Sequence, residues 1–217
     1  HRRSGQVQEV NSGATGQHTR QGNAMKAVKW VVLTVTLIVL CIFVFFKPSR
    51  VLIPEINDVV CATGSICMDD LSRLREAETL LADAVLDVEA KLGKLENLPK
   101  AIFCATQACY EKFGFRHSSA SAVGRTAIVV GPRGWKSYYL KHELIHYWQA
   151  EKIGVIRLLF VDEWFREGMA YFLSDDPRAE LLEPWQTYRQ QFADWYDTAG
   201  PQNFSVAIEQ FLQGDRL

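Results

Sequence analysis

An uninterrupted run of apolar residues near the N-terminus restricts this chain more than any other feature. From Trp30 to Phe46 the sequence is WVVLTVTLIVLCIFVFF, which contains no charge, glycine or proline. A helix that crosses a bilayer needs about 20 mostly apolar residues, within a range of roughly 17–25. The two residues before Lys29 extend the run, because a lysine stem can lie along apolar surface while its ammonium reaches the interface. The run therefore predicts one membrane-spanning helix over residues 25–47.

The flanks of this run favour an uncleaved anchor over a signal peptide. A signal peptide has a shorter apolar region of about 7–15 residues, followed by small residues at its cleavage site. Here Phe46 is followed by Lys47 and Pro48, which form no such site. We therefore expect a single-pass anchor in the membrane. Residues 1–24 are rich in Gly, Ser, Gln, Asn and Thr, and we expect a disordered extension or a cloning remnant there.

Cysteine spacing indicates the compartment of the rest of the chain. Four of the five cysteines follow the anchor as two close pairs, Cys61 with Cys67 and Cys104 with Cys109. Four cysteines allow three connectivities, and we favour these local pairs as disulfides. A structural zinc site would favour a two-residue spacing that neither pair has, and reduced thiols are the remaining alternative. Since disulfides form in oxidising compartments, we expect the C-terminal domain on the extracytoplasmic side.

Composition and periodicity outline that domain. The chain has 24 basic and 25 acidic residues and no long basic stripe, so nucleic acid is not an expected partner. We expect a linker over 48–66 and one domain over 67–217. The apolar periodicity predicts an amphipathic helix over 69–92, short strands at 101–104 and 126–130, helices near 107–113, 136–151, 162–173, 184–198 and 205–212, and a strand or descending loop at 155–161.

A possible metal-binding motif, His142-Glu143-Leu144-Ile145-His146, lies in the helix predicted over 136–151. Residues i and i+4 share one helix face, so the two imidazoles can reach the same ion. Zinc lowers the pKa of a bound water to near 7, and a neighbouring carboxylate can take its proton as the water attacks a carbonyl. The motif therefore predicts a zinc hydrolase in which Glu143 activates a water bound to Zn2+.

The third ligand must come from outside the motif, since a catalytic zinc takes three protein ligands and leaves one position open. The position that supplies a third histidine in another class of zinc hydrolase is Lys152 here, so a downstream carboxylate is the better candidate. The carboxylates within range are Asp162, Glu163, Glu167, Asp175 and Asp176. We favour Glu167, because Gly168 and Ala170 leave room for its helix to lie close against the first, and Glu163 is the alternative.

Together with the segment Trp164-Phe165-Arg166-Glu167-Gly168-Met169-Ala170-Tyr171, the motif resembles the gluzincins. These are zincin-like, peptidase MA-like metallopeptidases whose third zinc ligand is a glutamate. The resemblance covers roughly residues 126–172 and implies an α+β fold with helices packed on a small mixed sheet. It also implies that the strand at 126–130 lines the cleft and pairs with an extended peptide or protein substrate. The sequence has no glycine-rich motif that would anchor a free substrate amine, so we expect an endopeptidase.

A residue that stabilises the tetrahedral oxyanion is also expected in such a site, and it is usually Tyr or His. The sequence leaves four candidates unranked, which are His117, Tyr147, Tyr171 and Tyr188. The predicted function is thus that of a membrane-anchored, zinc-dependent peptide-bond hydrolase. The alternatives are a non-catalytic, membrane-tethered zinc protein that binds a partner, and a structural anchor protein without metal.

Overall fold

The computed structural model describes Lys26, residues 28–39, Cys41 and residues 47–213. The chain divides into two compact units, His1–Phe46 and Lys47–Leu217. In the first unit residues 28–39 are helical, and their apolar side chains are exposed. Among the described residues, no helix is both long enough and apolar enough to cross a membrane. Positions 25, 27, 40 and 42–46 of the predicted span lie outside the described residues, as does the extension over 1–24, so both stay predictions.

A five-stranded mixed sheet forms the centre of the second unit. Its strands are β1 (Val60–Cys61), β2 (Ile66–Met68), β3 (Lys100–Phe103), β4 (Ala120–Val123) and β5 (Ala127–Val130), in the spatial order β1-β2-β3-β5-β4. The three central strands are parallel, whereas β1 and β4 pair antiparallel at the two edges. The sheet and the helices around it confirm the predicted α+β class.

Helices pack against both faces of this sheet, and most of them lie on one face. They are α1 (Leu74–Leu92), α2 (Gln107–Lys112), α3 (Ser137–Lys152), α4 (Val155–Leu158), α5 (Glu163–Leu173), α6 (Trp185–Ala199) and α7 (Phe204–Gln213), with 3-10 helices at Lys47–Val51, Pro54–Asn57, Leu71–Arg73 and Pro201–Asn203. The main core joins buried side chains of α1, α3, α5 and α6 to the sheet, for example Leu81, Leu144, Phe165 and Phe192. Helix α2 lies with a second core on the opposite face.

Strand β5 is buried on both faces, which explains its run of apolar residues. Ile128 and Val130 join the main core, while Ala127 and Val129 join the second core. Successive side chains of a strand point to opposite faces, so β5 lies inside the sheet, between β3 and β4. The prediction that strand 126–130 lines the cleft and pairs with substrate is therefore wrong, because its hydrogen-bonding edges are already occupied. The free edge belongs to β4, which the sequence analysis missed.

Two other segments differ from the prediction, although most helices end within two residues of their expected bounds. Residues 155–161, expected as a strand or loop, begin with the short helix α4. Residues 48–66, expected as a linker, include β1 and contribute Val51 and Val59 to the second core. These valines are buried against the sheet, so the segment belongs to the domain.

Both predicted disulfides are present. Cys61–Cys67 joins facing residues of β1 and β2, and Cys104–Cys109 joins the end of β3 to α2. The chain turns back on itself within each pair, which is why the local pairing was the better choice among the three connectivities. All four cysteines lie in or against the second core.

Candidate metal centre

Helix α3 brings the two motif histidines together, and α5 adds a carboxylate. The Nε2 atoms of His142 and His146 are 3.1 Å apart. Oε2 of Glu167 lies 3.4 Å from Nε2 of His146 and 3.7 Å from Nε2 of His142. These are the three residues predicted as metal ligands, and the structure places their ligand atoms within 4.8 Å of one another.

The spacing of the three atoms fits a tetrahedral zinc ion. Zn–N and Zn–O bonds of about 2.0–2.2 Å at tetrahedral angles separate neighbouring ligand atoms by roughly 3.3–3.6 Å. The separations of 3.1, 3.4 and 3.7 Å lie around that interval. The three side chains are 12–18% exposed, so the ligand atoms lie in a cleft where a fourth position can remain open. Two imidazoles and one carboxylate form a donor set that suits catalytic zinc.

The other carboxylates considered as third ligand are placed differently. Glu163 contacts Arg166 and Tyr188, Asp175 contacts Lys91 and Lys141, Asp176 contacts Arg178, and Asp162 stands at the N-cap of α5. Glu167 is therefore the carboxylate that joins the histidines.

The charges of this group depend on one another. Burial alone would raise the pKa of Glu167, but its hydrogen bond to His146 and the nearby charges hold that pKa at about 2. Burial and the charge of His146 lower the pKa of His142 to about 3. Burial opposes protonation of His146 as well, yet Glu167 raises its pKa to about 9. Without metal, the His146 ring is thus a charged imidazolium. The proton on its Nε2 is paired with Glu167, and a bound metal would displace that proton.

Glu143 is oriented by the edge strand. Its side chain is buried, and burial raises the pKa of the carboxyl group. The backbone N–H of Ala122 in β4 donates to its Oε2 at 2.6 Å. The predicted general base is therefore held between the metal helix and the free edge of the sheet.

Gln149 is a residue of the candidate site that the sequence analysis missed. Its Oε1 lies 3.0 Å from Nδ1 of His146, and its Nε2 donates to the carbonyl of Arg166 at 2.9 Å. A carbonyl can only accept, so the amide NH2 must face Arg166 and Oε1 must face the imidazole. Nδ1 of His146 then carries the hydrogen and leaves Nε2 for a metal. The three-residue spacing after His146, on one helix face, could have indicated this contact.

The metal group lies in a cleft that consists of two adjoining cavities. One cavity has a volume of about 510 Å3 and the other a volume of about 550 Å3, and His142, Glu143, Ser118 and Tyr171 line both. The first cavity is further lined by His117, Ser119, Ala120, Tyr139, Arg178, Leu181, Leu182 and Trp185. The second is further lined by Ser121, Ala122 and Gly124, and by residues of α3, α4 and α5. Strand β4 therefore runs along the cleft from the first cavity to the second, and the second cavity is lined by all three candidate ligands.

Only some of the candidates for oxyanion stabilisation lie in the cleft. The ring of Tyr171 lies 4.4 Å from that of His142, and burial raises its pKa to about 12, so the phenol keeps its proton. His117 lines the first cavity. Tyr188 donates to Glu163 and lines neither cavity, and Tyr147 is buried in the main core. Tyr171 and His117 are thus the candidates that the fold brings to the cleft.

The close packing at Gly168 has a different partner from the one expected. A Cβ at this position would lie 2.3 Å from the carbonyl oxygen of Tyr188 and 2.8 Å from Cβ of Phe192. Both residues belong to α6, so the glycine allows α5 to approach α6 and not the metal helix. Helix α5 contacts α3 through Gln149, whose Nε2 donates to the Arg166 carbonyl and to the Met169 sulfur.

None of the known family models, curated proteins or solved structures matches this chain. The resemblance to gluzincins stays a prediction from the sequence, and the functional argument rests on the geometry of this cleft.

Proposed function

We propose that this protein is a zinc-dependent peptide-bond hydrolase with Glu143 as its general base. The observation that carries the proposal is the convergence of His142, His146 and Glu167 at 3.1–3.7 Å, beside a buried carboxylate in an open cleft. A bound zinc would polarise a substrate carbonyl and lower the pKa of a coordinated water. The chain itself supplies orientation, proton transfer and substrate binding.

Glu143 moves the proton in this proposal. As the water oxygen bonds to the carbonyl carbon, the Glu143 carboxylate accepts a proton from that water. The same proton then passes to the leaving nitrogen as the C–N bond breaks. The raised pKa of Glu143 suits both steps, since the carboxyl must hold the proton between them. In this proposal the protonated phenol of Tyr171, whose ring lies beside His142, donates to the developing oxyanion.

The edge of β4 suits an extended peptide. Gly131 N–H donates to the carbonyl of Ser119, and Thr126 N–H donates to the carbonyl of Val123. The backbone N–H and C=O groups of alternate residues therefore bond to β5. The backbone groups of the residues between them, Ala120 and Ala122, point away from β5 toward the cleft. The N–H of Ala122 is used by Glu143, so a substrate strand would pair chiefly at Ala120.

The membrane anchor belongs to the same proposal. The apolar run from Trp30 to Phe46, with the exposed apolar side chains of helical residues 28–39, supports a single-pass helix over 25–47. The two disulfides support an oxidising compartment for the catalytic unit. We infer a membrane-anchored hydrolase whose cleft faces the extracytoplasmic side.

A zinc protein that binds a partner without turnover is the alternative, and Glu143 argues against it. Zinc binding needs only His142, His146 and Glu167, whereas burying a further carboxylate beside them has an energetic cost. Catalysis gives that carboxylate a role.

The test is the Glu143→Gln variant of the full chain, purified in detergent. We expect one zinc per chain, as in the wild type, and loss of peptide-library cleavage by several orders of magnitude. Glu163→Gln, which removes an exposed carboxylate from α5, is the control and should retain activity. Cleavage by Glu143→Gln at the wild-type rate would refute the proposed mechanism.

A further inference from the structure

The direction of β4 assigns the two ends of a bound peptide to the two cavities. The strand begins beside the first cavity, at Ala120, and continues past Ala122 to Gly124 at the second. Antiparallel pairing is slightly more stable per residue than parallel pairing. A peptide that pairs antiparallel with β4 therefore has its N-terminal side in the second cavity and its C-terminal side in the first.

The first cavity contains a cationic side chain, that of Arg178. Arg178 lines it, and its side chain is 39% exposed. Nε and Nη2 of Arg178 donate to the carboxylate of Asp176, which is only 2% exposed. This fixed pair orients the guanidinium, as does its position 5.4–5.9 Å from the rings of Tyr138, Tyr139 and Tyr171. In the part of the chain that the structure describes, Nη1 of Arg178 has no hydrogen-bond partner.

The distance from Arg178 to the metal group limits how many substrate residues can lie between them. The guanidinium carbon lies 5.9 Å from the Tyr171 ring, which lies 4.4 Å from the His142 ring, so Arg178 is at most about 10 Å from that imidazole. An extended peptide advances roughly 3.3–3.6 Å per residue. The interval between the metal group and the guanidinium therefore spans up to about three residues.

We propose that Arg178 binds the C-terminal carboxylate of the substrate, so that the enzyme releases one to three residues from the carboxyl end. The free Nη1 is a strong donor for a carboxylate, and a guanidinium binds this planar anion in a defined orientation. The apolar side chains of Leu181, Leu182 and Trp185 in the same cavity would contact the side chains of the released residues. This inference rests on the proposed hydrolase and on an antiparallel substrate, and it replaces the endopeptidase expected from the sequence with an enzyme that cleaves near a free C-terminus.

The test compares two pools of short peptides that differ only at their C-terminus. Both carry an N-terminal fluorophore, and one pool ends in a free carboxylate while the other ends in a carboxamide. Cleavage by the zinc-loaded full chain gives the cut positions by mass spectrometry and the rate for each pool. Binding of the same pools to Glu143→Gln is measured by fluorescence anisotropy, which does not depend on turnover.

We expect the carboxylate pool to be preferred roughly 10- to 100-fold in kcat/KM and in binding, with cuts one to three residues from the C-terminus. Arg178→Gln should lose this preference, and Arg178→Lys should keep part of it through its charge. Lys136→Gln removes a neighbouring exposed cation, 5.9 Å from the Tyr138 ring and outside the cavity lining, and should leave the preference unchanged.

The outcomes distinguish the two proposals. Cleavage of both pools at equal rates by the wild type would overturn the carboxylate site and leave the hydrolase standing. A binding preference for the carboxylate pool, without cleavage by the wild type, would support the carboxylate site and overturn the hydrolase. Absence of both would overturn both. The wild-type comparison decides the question even if Arg178→Gln fails to fold because Asp176 loses its partner.

Discussion

Replacing Gln149 with methionine should weaken zinc binding about 10- to 100-fold without removing a ligand. Gln149 is fully buried, and its amide connects Nδ1 of His146 to the carbonyl of Arg166 at 3.0 and 2.9 Å. Methionine is unbranched and of similar length, so it fills the space but cannot replace either hydrogen bond. The imidazole then loses the partner that fixes its hydrogen on Nδ1.

The magnitude follows from what the substitution leaves unpaired. A buried donor without a partner costs about 1–3 kcal/mol. The metal-free variant can avoid this cost, because His146 can release its Nδ1 proton and keep the hydrogen on Nε2 beside Glu167, whereas in the zinc-bound state Nε2 is a ligand and the hydrogen must stay on Nδ1. A tenfold change in affinity corresponds to about 1.4 kcal/mol, so the expected loss is one to two powers of ten. The unpaired carbonyl of Arg166 is present with and without metal, so it lowers the stability of both forms and largely cancels in the zinc affinity.

Two measurements on the full chain separate these effects. Competition with a chromophoric chelator gives the Kd for zinc, and thermal unfolding of the metal-free protein gives the change in stability. Gln190→Met is the control, because this exposed glutamine on α6 bonds only to Asp194 in the part of the chain that the structure describes. A Kd for Gln149→Met within twofold of the wild type would refute the argument that this amide orients His146.

Two further substitutions test the ligand and the helix contact. Glu167→Ala should lower zinc affinity by at least 100-fold, because it removes one of three ligands. The control variant Glu163→Ala should still contain one zinc per chain by metal analysis. Equal zinc content in Glu167→Ala and wild type would show that the third ligand is another residue. Gly168→Ala should lower the stability by about 1–3 kcal/mol despite the better helix propensity of alanine, because the new methyl would lie 2.3 Å from the Tyr188 carbonyl. Chemical denaturation would detect that loss, and a more stable variant would show that α5 and α6 can separate without cost.

The sequence by itself determined the parts of the site that depend on local geometry. His142 and His146 share a face because the helix repeats every 3.6 residues, and Glu143 follows from its place in the motif. The disulfides Cys61–Cys67 and Cys104–Cys109 were also predictable, since each joins residues close in the chain. Glu167 was chosen correctly as the carboxylate that joins the histidines, although Gly168, used to favour it, packs against α6.

Only the tertiary structure decided which distant segments meet around the histidines. Strand β4 has the sequence ASAV, which lacks the run of large apolar residues that marks β5, and its role comes from its position at the sheet edge. Gln149 orients His146 only because the Arg166 carbonyl on α5 holds its amide in one direction. Arg178 reaches the cleft from the loop after α5, beside Tyr171. Such contacts depend on how the helices pack on the sheet, and local spacing could have indicated only the pair of His146 and Gln149.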